Sequence, residues 1–323
     1  MSVKKYSVKF NEKNQTLEKY VRKLYPFVSL SIIYKAFRKK DIKVNGHWEN
    51  GKYIVKENDE ISIYIKDEFL NTNIIEGDIK KSDEISSLII YEDENMLIIN
   101  KPRGLLVQKD ISNKESLNDK VIKYLYFKNE YNPNEISAFT PGPVHRLDRN
   151  TSGLVIFGKN NGTLDTFFNL FKEHKCIEKH YYALVNGNVI SDDIINVPLK
   201  KDSETKTVKV SSTKNGGKNA LTKYHIKKKY SNYTLLDVEL LTGRTHQIRV
   251  HMAYINHPII GDSKYGDFKE NKTFEKLYGF KNQFLHAYKI VFKDMPKEYE
   301  YLNNKEIIAP LPSDLKEILN KLA

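Results

Sequence analysis

The sequence from about residue 88 onward is a succession of short apolar or alternating segments, and this succession restricts the fold most. Such segments are typical of β-strands, because successive side chains of a strand point to opposite faces of its sheet. The strand-like segments are LIIYEDENMLIINK, GLVIFGK, KHYYALVNGNV, TVKVSS, NALTKYHIKKKY, YTLLDVELL and HAYKIVFK. Fewer segments have helical periodicity; they are SLNDKVIKYLYFKN, NGTLDTFFNLFKEH, THQIRVHMAYIN and PSDLKEILNKL. Runs of strands with scattered helices predict an α+β fold, with flanking helices around a mostly antiparallel mixed sheet.

Residues 1–66 have a different pattern. Amphipathic helices are predicted in TLEKYVRKLY and SLSIIYKAFRKK, and the alternating DIKVNGHW turns at Asn45-Gly46, which is a strong hairpin signal. We therefore predict a small αβ domain over residues 1–66, a polar and mostly acidic linker over residues 67–87, and a larger domain over residues 88–323.

Positive charge is concentrated in the first domain. The 323 residues contain 53 Lys and Arg against 41 Asp and Glu, a net charge of +12, and 15 basic against 7 acidic residues fall within Met1–Lys66. Polyanions are natural partners for such a surface, because each neutralised phosphate releases counterions. The alternative is a solvated surface without a partner.

Other features restrict the compartment and the cofactors. No apolar run approaches the roughly 20 residues that cross a bilayer, and the first residues lack a signal-peptide pattern. The single cysteine, Cys176, excludes an internal disulfide and a cysteine-based zinc site. We expect a cytoplasmic protein with no membrane partner and no metal.

One aspartate stands out in the segment PVHRLDRNTSGLVIFGK. Asp148 lies between Arg146 and Arg149, on a loop that leads into a predicted buried strand, where catalytic residues often lie. The small residues of the Thr-Ser-Gly that follows would allow a ligand close to the backbone. A carboxylate in a dry pocket is protonated unless a cation keeps it ionised. An ordinary ion pair within the loop is the alternative to a catalytic role.

The segment LLTGRTHQIRVHMAYINHPIIGDSKYG carries further candidates. A helix is predicted to begin near Thr245, with Arg244 just before it and Arg249 one turn into it, and both arginines suit a phosphate or a carboxylate such as Asp148. His246 and His251 are five residues apart, so they do not share the helix face that a metal-binding pair needs.

Several of these segments together resemble the motifs of the RluA-type pseudouridine synthases. The motifs HRLDRNTSGLVIFGK, EKHYYALVNG and GRTHQIRVHMAYINHPIIGDSKYG occur in the family order, and IIYEDENMLIINKPRGLLV resembles the start of the family's catalytic domain. The segment SLSIIYKAFRKKDIKVNG is similar to the small RNA-binding domain, named after ribosomal protein S-four, that many of these enzymes carry. The whole most resembles the RluC-like branch, which acts on large-subunit rRNA.

The resemblance implies an enzyme that isomerises specific uridines of large-subunit (23S) rRNA to pseudouridine, without a cofactor, in a central RNA cleft. Asp148 would be the catalytic aspartate, acting at ribose carbon 1′ or, by the competing family mechanism, on the uracil ring. Arg249 would pair with it. Tyr181, which pattern alone suggests is a core residue, would stack on the uracil and help remove its carbon 5 proton. Arg146 would fill the gap left by the flipped uridine.

The expected partner is large-subunit rRNA or its precursor, bound by a monomer. The residues expected to contact RNA are Arg146, Arg244, His246, Gln247, Lys35, Arg38, Lys39, Lys40 and Lys43.

Other functions remain open at this point. A non-catalytic RNA-binding or ribosome-assembly protein would explain the basic domain, but it would not need Asp148, Tyr181 and Arg249 to converge in a cleft. A hydrolase that cleaves the same glycosidic bond would release free uracil, whereas an isomerase releases nothing.

Overall fold

The computed structural model describes residues 3–26, 28–64, 83–110, 114–133, 135–202, 204–205 and 207–323. Most of the predicted linker lies outside these residues. Its last part belongs to a short 3₁₀ helix over Asp83–Leu88, and Ile85 there is buried in the core of the larger domain. None of the helices in the described part of the chain is long and apolar enough to span a lipid bilayer.

Two helices pack on a small sheet in the N-terminal domain. The helices are α1 (Leu17–Leu24) and α2 (Leu30–Arg38), and the strands are β1 (Lys4–Ser7), β2 (Ile42–Val44), β3 (His47–Trp48) and β4 (Glu60–Ile63). The described strands are ordered β1-β4-β2-β3, and every pair is antiparallel. The predicted hairpin turn is confirmed, because Asn45 and Gly46 have φ of 51° and 83°, as a tight two-residue turn requires.

A second, larger sheet forms the centre of the molecule. Its strands are β5 (Ile89–Glu92), β6 (Met96–Lys101), β7 (Gly142–Pro143), β8 (Ser152–Gly158), β9 (Ile177–Asn186), β10 (Asp193–Asn196), β13 (Leu221–Lys229), β14 (Tyr233–Leu240), β15 (Leu285–Phe292) and β16 (Glu306–Ile308). The main order is β10-β13-β14-β9-β15-β8-β6-β5, with β7 beside β8 and β16 beside β15. Strands β11 (Leu199–Lys201) and β12 (Val208–Val210) form a separate pair.

The prediction of a mostly antiparallel mixed sheet is confirmed. Among the described residues, only β8 and β15 pair in parallel. The flanking helices are α3 (Leu117–Phe127), α4 (Asn161–Glu173), α5 (Gln247–Tyr254), α6 (Phe268–Tyr278) and α7 (Ser313–Leu322). Helix α6 was not predicted, because its sequence FKENKTFEKLY is largely polar and only Phe274 is fully buried.

Strands β8, β9 and β15 lie side by side next to the loop that carries Asp148. Ala287 of β15 pairs with Gly153 of β8 on one side and with Tyr181 of β9 on the other. Gly153 has φ of +115°, and a Cβ atom there would lie 2.2 Å from the carbonyl oxygen of Ala287. Thr151 and Ser152 are buried and bond to Gln283 and His286, so these small residues serve strand packing. That they allow a ligand close to the backbone stays a prediction.

The N-terminal domain packs directly on the larger one. Ala138 is buried within the hydrophobic core of the N-terminal domain. The carboxylate of Glu12 accepts hydrogen bonds from the Ser137 hydroxyl at 2.7 Å and the Ala138 amide at 2.8 Å. Lys23 reaches helix α4 and donates to the Oδ1 of Asn161. These contacts hold the basic domain beside the central sheet.

Candidate active site

Asp148 lies on the loop immediately before β8, at the edge of a cleft of about 480 Å³. Its backbone carbonyl accepts the amide of Thr151 at 3.1 Å, which turns the chain into the buried strand. Its side chain is 28% exposed, so solvent and ligands reach the carboxylate. Tyr181 and Arg146 line the same cleft.

Arg249, in the first turn of α5, contacts two carboxylates. Its Nη1 donates to Oδ2 of Asp148 at 2.7 Å, so the predicted pairing between residues about a hundred positions apart is present. Its Nε and Nη2 donate to Asp262 at 2.7 and 2.9 Å, a bidentate pair. The Arg249 side chain is 9% exposed and that of Asp262 is 1% exposed. A fixed guanidinium fork of this kind sets the position of the Asp148 carboxylate.

Asp262 was not singled out by the sequence reasoning. Burial disfavours its charged form, but the hydrogen bonds and charge of Arg249 outweigh burial, and the pKa of Asp262 lies below its ordinary value. Its Oδ1 also accepts the backbone amides of Lys264 and Tyr265. The sequence carries one signal for a role of Asp262, its place in the motif segment GDSKYG. A single acidic residue on a loop is otherwise expected to be solvated.

His246 occupies the position before the first residue of α5, so the helix begins two residues after Thr245. His246 has φ of 53°, and its Nδ1 shares a hydrogen bond with the Tyr265 hydroxyl at 2.8 Å. Its Nε2 lies 3.8 Å from Oδ1 of Asp148.

The pKa of His246 lies below its ordinary value. Burial lowers this pKa most, the charge of Asp148 raises it, and the charges of Arg249 and Lys264 lower it. Asp148 shares the guanidinium of Arg249 with the buried carboxylate of Asp262.

Tyr181 extends from β9 into the cleft and is 6% exposed. Burial, and to a smaller extent the charge of Asp148, raises the pKa of its phenol. Tyr182 points to the opposite face of the sheet and stacks on Tyr288 with ring centroids 3.8 Å apart. The alternation along this strand therefore sends one tyrosine to the cleft and the next to the core.

Lys101 and Arg149 donate hydrogen bonds to backbone carbonyls at and near the loop that carries Asp148. The fully buried Lys101 donates through Nζ to the carbonyls of Pro102, Leu105 and Arg149 at 2.9, 2.9 and 3.1 Å. Burial lowers the pKa of Lys101 to about 7. Arg149, whose role the sequence left open, bonds the carbonyl of Gly104 through Nε. A buried lysine could not be found from sequence, because lysine is almost always a surface residue.

The other predicted RNA contacts are distributed over two surfaces. Arg146 is exposed in the cleft and has no hydrogen bond or ion pair to any described residue. Arg244 also lines the cleft, and its Nε donates to the carbonyl of Asn219. Five basic residues of the N-terminal domain are likewise without acidic partners among the residues described: Lys35, Arg38, Lys39, Lys40 and Lys43.

Gln247 differs from the other residues expected to contact RNA, because its side chain is buried. It is 2% exposed, and its side-chain amide donates to the carbonyl of Leu221 and the hydroxyl of Thr222. Its Oε1 accepts the Thr242 hydroxyl and the Arg244 amide. Because each of these atoms already bonds the protein, we withdraw Gln247 from the expected RNA contacts.

The sequence of the chain is similar to those of known proteins. Residues 95–254 match the family described as RNA pseudouridylate synthase. An uncharacterized RNA pseudouridine synthase of Mycoplasma capricolum is 37% identical over 94% of this chain and 96% of its own length. Ribosomal large subunit pseudouridine synthase C of Buchnera aphidicola is 33% identical over 97% and 95% of the two chains.

A solved structure supports the same fold. The human RNA pseudouridylate synthase domain containing 4 superimposes with a TM-score of 0.60 and 20% identity, over 74% of this chain and 94% of that one. The match of the catalytic segment and the identity across nearly the whole length of the bacterial relatives lead to one conclusion. The chain belongs to the RNA pseudouridine synthase family.

Proposed function

We propose that this chain converts specific uridines of large-subunit rRNA to pseudouridine, with Asp148 as the catalytic carboxylate. The observation that carries the proposal is the placement of Asp148, bonded to Arg249 at 2.7 Å, in one cleft with Tyr181 and the unpartnered Arg146. The target class is supported by the relative named as a large subunit synthase, to which this chain is similar over nearly its full length.

The reaction needs one bond broken, one bond formed and one proton moved. In the first route, a carboxylate oxygen of Asp148 attacks ribose carbon 1′ or assists departure from it, and the bond to uracil N1 breaks with its electrons left on the base. The uracil rotates and its carbon 5 bonds carbon 1′, while any ester bond between Asp148 and carbon 1′ breaks and returns its electrons to the carboxylate; the carbon 5 proton is lost and N1 gains one. In the second route, the carboxylate adds to the uracil ring, the bond from N1 to carbon 1′ breaks and carbon 5 bonds carbon 1′, and the bond between Asp148 and the ring breaks at the end to free the carboxylate. Neither route requires a cofactor.

Arg249 positions the attacking oxygen. Its Nε and Nη2 bond Asp262 and its Nη1 bonds Asp148, so the Asp148 carboxylate is held through Oδ2 and Oδ1 is the oxygen left to react. Closing RNA over the cleft removes water, and a charge held by a preorganised partner is then less costly to desolvate.

Tyr181 acts on the base as a neutral phenol. Its raised pKa keeps the hydroxyl protonated at neutral pH, so the ring is suited to stacking on the uracil and the hydroxyl is a poor initial base. Removal of the carbon 5 proton by Tyr181 would require it to lose its own proton first, and we therefore assign it the stacking role.

Arg146 and the N-terminal domain bind the RNA around the target. A stacked uridine cannot be reached by Asp148, so the nucleotide must be flipped out, and the exposed guanidinium of Arg146 can occupy the vacated position. The basic residues on and near α2 and β2 would bind phosphates as part of a small RNA-binding domain. We place this reaction in the cytoplasm, carried out by a monomer.

Replacing Asp148 by asparagine tests the proposal. Asp148→Asn keeps the shape but removes the reactive carboxylate, so we expect pseudouridine formation in an in vitro transcript of the 23S rRNA to fall by at least about 1,000-fold. RNA binding by a filter assay should stay near wild type. Asp192→Asn, at an exposed aspartate paired with His225, is the matched control and should be fully active.

Two results would overturn the proposal. Wild-type turnover by Asp148→Asn would show that the carboxylate is not catalytic. Release of free uracil by the wild-type protein, in place of pseudouridine, would identify a hydrolase.

A further inference from the structure

Helix α4 (Asn161–Glu173) presents a solvent-exposed phenylalanine to the active-site cleft. Phe168 is 60% exposed, whereas its neighbour Phe167 is fully buried against Phe292 and Tyr299. Single exposed aromatic side chains are common on protein surfaces, so the position of Phe168, and not its exposure alone, carries the argument. Phe168 lines the same cleft as Asp148, so the uncovered ring is located where the substrate binds.

The ring of Phe168 has no partner in the described structure, in contrast to the second phenylalanine on this side of α4. Phe171 stacks on His145 with centroids 4.5 Å apart and planes 17° apart, and the Nζ of Lys179 lies 5.3 Å from its centroid. Phe171 is therefore already engaged as part of the cleft wall. Phe168 has an open face, and no aromatic or cationic contact with a described residue is present.

A positive charge lies one helical turn beyond this ring. Lys172 follows Phe168 by four residues, so both side chains share a face of α4, and both line the cleft. Lys172 is exposed and has no acidic partner among the described residues. An open aromatic ring beside an unpaired ammonium group matches the two parts of a nucleotide, a base to stack and a phosphate to neutralise.

The cleft has the size of an ordinary ligand pocket. Its volume of about 480 Å³ falls in the range, roughly 300–1,000 Å³, that is typical of pockets for drug-sized ligands. Tyr181 and Arg146 line it together with Asp148, where the flipped uridine would lie, and α4 contributes Phe168 to the same lining.

We propose that Phe168 and Lys172 form a subsite for an unpaired nucleotide adjacent to the target uridine, with the base stacked on Phe168 and its phosphate bound by Lys172. The subsite rests on the proposed function, and it adds a determinant of target choice, because a base-paired neighbour cannot stack there. The occupant is RNA rather than protein, because the surrounding unpartnered groups, Arg146 and Lys172, are cationic and because the surface is continuous with the catalytic cleft.

The test uses short RNAs that span the uridine modified by the wild-type protein, with 2-aminopurine placed in turn on each side of it. Binding of the wild-type protein should quench one of these probes through stacking, and Phe168→Leu should abolish the quenching while raising KM by about 5-fold or more. Phe168→Trp should restore both. Phe268→Leu is the matched control, since Phe268 is 62% exposed on α6 and does not line the cleft, and it should behave as wild type.

Lys172→Ala gives a second, independent measurement. With one phosphate fewer neutralised, the salt slope of RNA binding should fall by about 0.7–0.9 while the 2-aminopurine signal is kept.

The outcomes separate this subsite from the proposed function. If the wild-type protein forms pseudouridine but Phe168→Leu equals Phe268→Leu in quenching and in KM, the subsite is refuted and the proposed function stands. If the wild-type protein forms none, both are refuted. A change of sedimentation from dimer to monomer in Phe168→Leu would also overturn the subsite, because the ring would then be covered by a second copy of the chain.

Discussion

The catalytic cleft and the basic face of the N-terminal domain are both rich in charge, but they are organised in opposite ways. In the cleft, Arg249 makes three hydrogen bonds to two carboxylates and is almost fully buried. On the N-terminal face, Lys35, Arg38 and Lys39 are exposed and have no acidic partner among the described residues.

The contrast is not a general property of the N-terminal domain. Lysines on its other side are paired, as Lys5 is with Glu60 and Lys13 with Glu57, each at 2.9 Å. Lys52 and Lys56 of this domain also have no acidic partner among the described residues, so the charges near α2 and β2 differ in being concentrated on adjacent elements. Unpaired exposed charges act at a distance and weaken in salt, whereas buried paired charges act at short range and are much less screened.

The difference indicates a division of labour. We propose that the N-terminal face supplies attraction for RNA that does not depend on accurate placement, and that the cleft positions the reacting groups. The cleft also contributes positive charge of its own, because Asp148 is its one acidic lining residue among those described. The basic residues that line it are Arg146, Arg149, Lys172, Lys179 and Arg244.

Among the tests of this contrast, the largest effect is expected from removing Arg249. Arg249→Ala leaves Asp148 without its bonded cation and Asp262 as a buried unpaired charge, so turnover should fall by about 100-fold or more and the free energy of unfolding by about 3–5 kcal/mol. Single-turnover kinetics and urea unfolding measure the two effects. Arg249→Lys keeps the charge but cannot bond both carboxylates, and it should fall between wild type and alanine.

A surface arginine provides the control for this variant. Arg22 pairs with Glu18 at 3.5 Å one turn away on α1 and is 47% exposed. Arg22→Ala should change the free energy of unfolding by no more than about 0.5 kcal/mol. Equal losses in Arg22→Ala and Arg249→Ala would contradict the contrast between the two regions.

The sequence predicted the elements of this contrast better than their arrangement. The central strands were predictable because each segment alone either alternates, as in the strand that carries Tyr181 and Tyr182, or is a short continuous apolar run, as in β8. The pairing of Asp148 with Arg249 was expected from the family motifs, not from spacing, because no local pattern joins residues so far apart. The five basic residues near α2 were predictable from composition.

Buried charges were the part that sequence reasoning missed. Asp262 and Lys101 were both within quoted motifs, yet a charged residue is assigned to the surface unless a partner is known. Their partners, Arg249 for one and three backbone carbonyls for the other, become neighbours only after the sheet has formed. The contact of Glu12 with Ala138 was missed for the same reason, because it joins two domains through a side chain and a backbone amide.

An intermediate effect is expected from Asp262. Asp262→Asn keeps an oxygen for the backbone amides of Lys264 and Tyr265, but it removes the charge and one acceptor of the bidentate pair with Arg249. Turnover should fall by about 10-fold with KM unchanged, because Arg249 would hold Asp148 less firmly. Presteady-state kinetics on the rRNA transcript measures this.

The pH dependence of stability gives Asp262 a separate test. Its pKa is depressed in the folded chain, so its stabilisation is complete above the unfolded value of about 4 and is lost as pH falls through the folded value. The stability difference between wild type and Asp262→Asn should therefore be largest near pH 7 and narrow on acidification. Asp202→Asn is the control, since Asp202 accepts two backbone amides in a similar turn without an arginine. A difference that does not change with pH would exclude the ionic role of Asp262.

The smallest effect on chemistry is expected from the N-terminal face. Replacing Lys35, Arg38, Lys39, Lys40 and Lys43 by alanine should raise KM about fivefold near physiological salt and leave turnover unchanged. Point substitutions are preferable to deleting the domain, because deletion would also uncover Ala138 and remove Glu12 from Ser137. The salt dependence of binding should flatten by roughly 0.7–0.9 for each phosphate that the variant no longer neutralises.

Substituting a second basic run tests whether RNA binding depends on the position of the positive charges or only on their number. Lys227, Lys228 and Lys229 are exposed on β13 of the larger domain, and alanine at all three should change the salt slope less per charge removed. If the N-terminal variant instead leaves the slope unchanged, phosphates do not lie on that face. Attraction would then have to come from the few cations that line the cleft, and the two regions would not divide binding from catalysis.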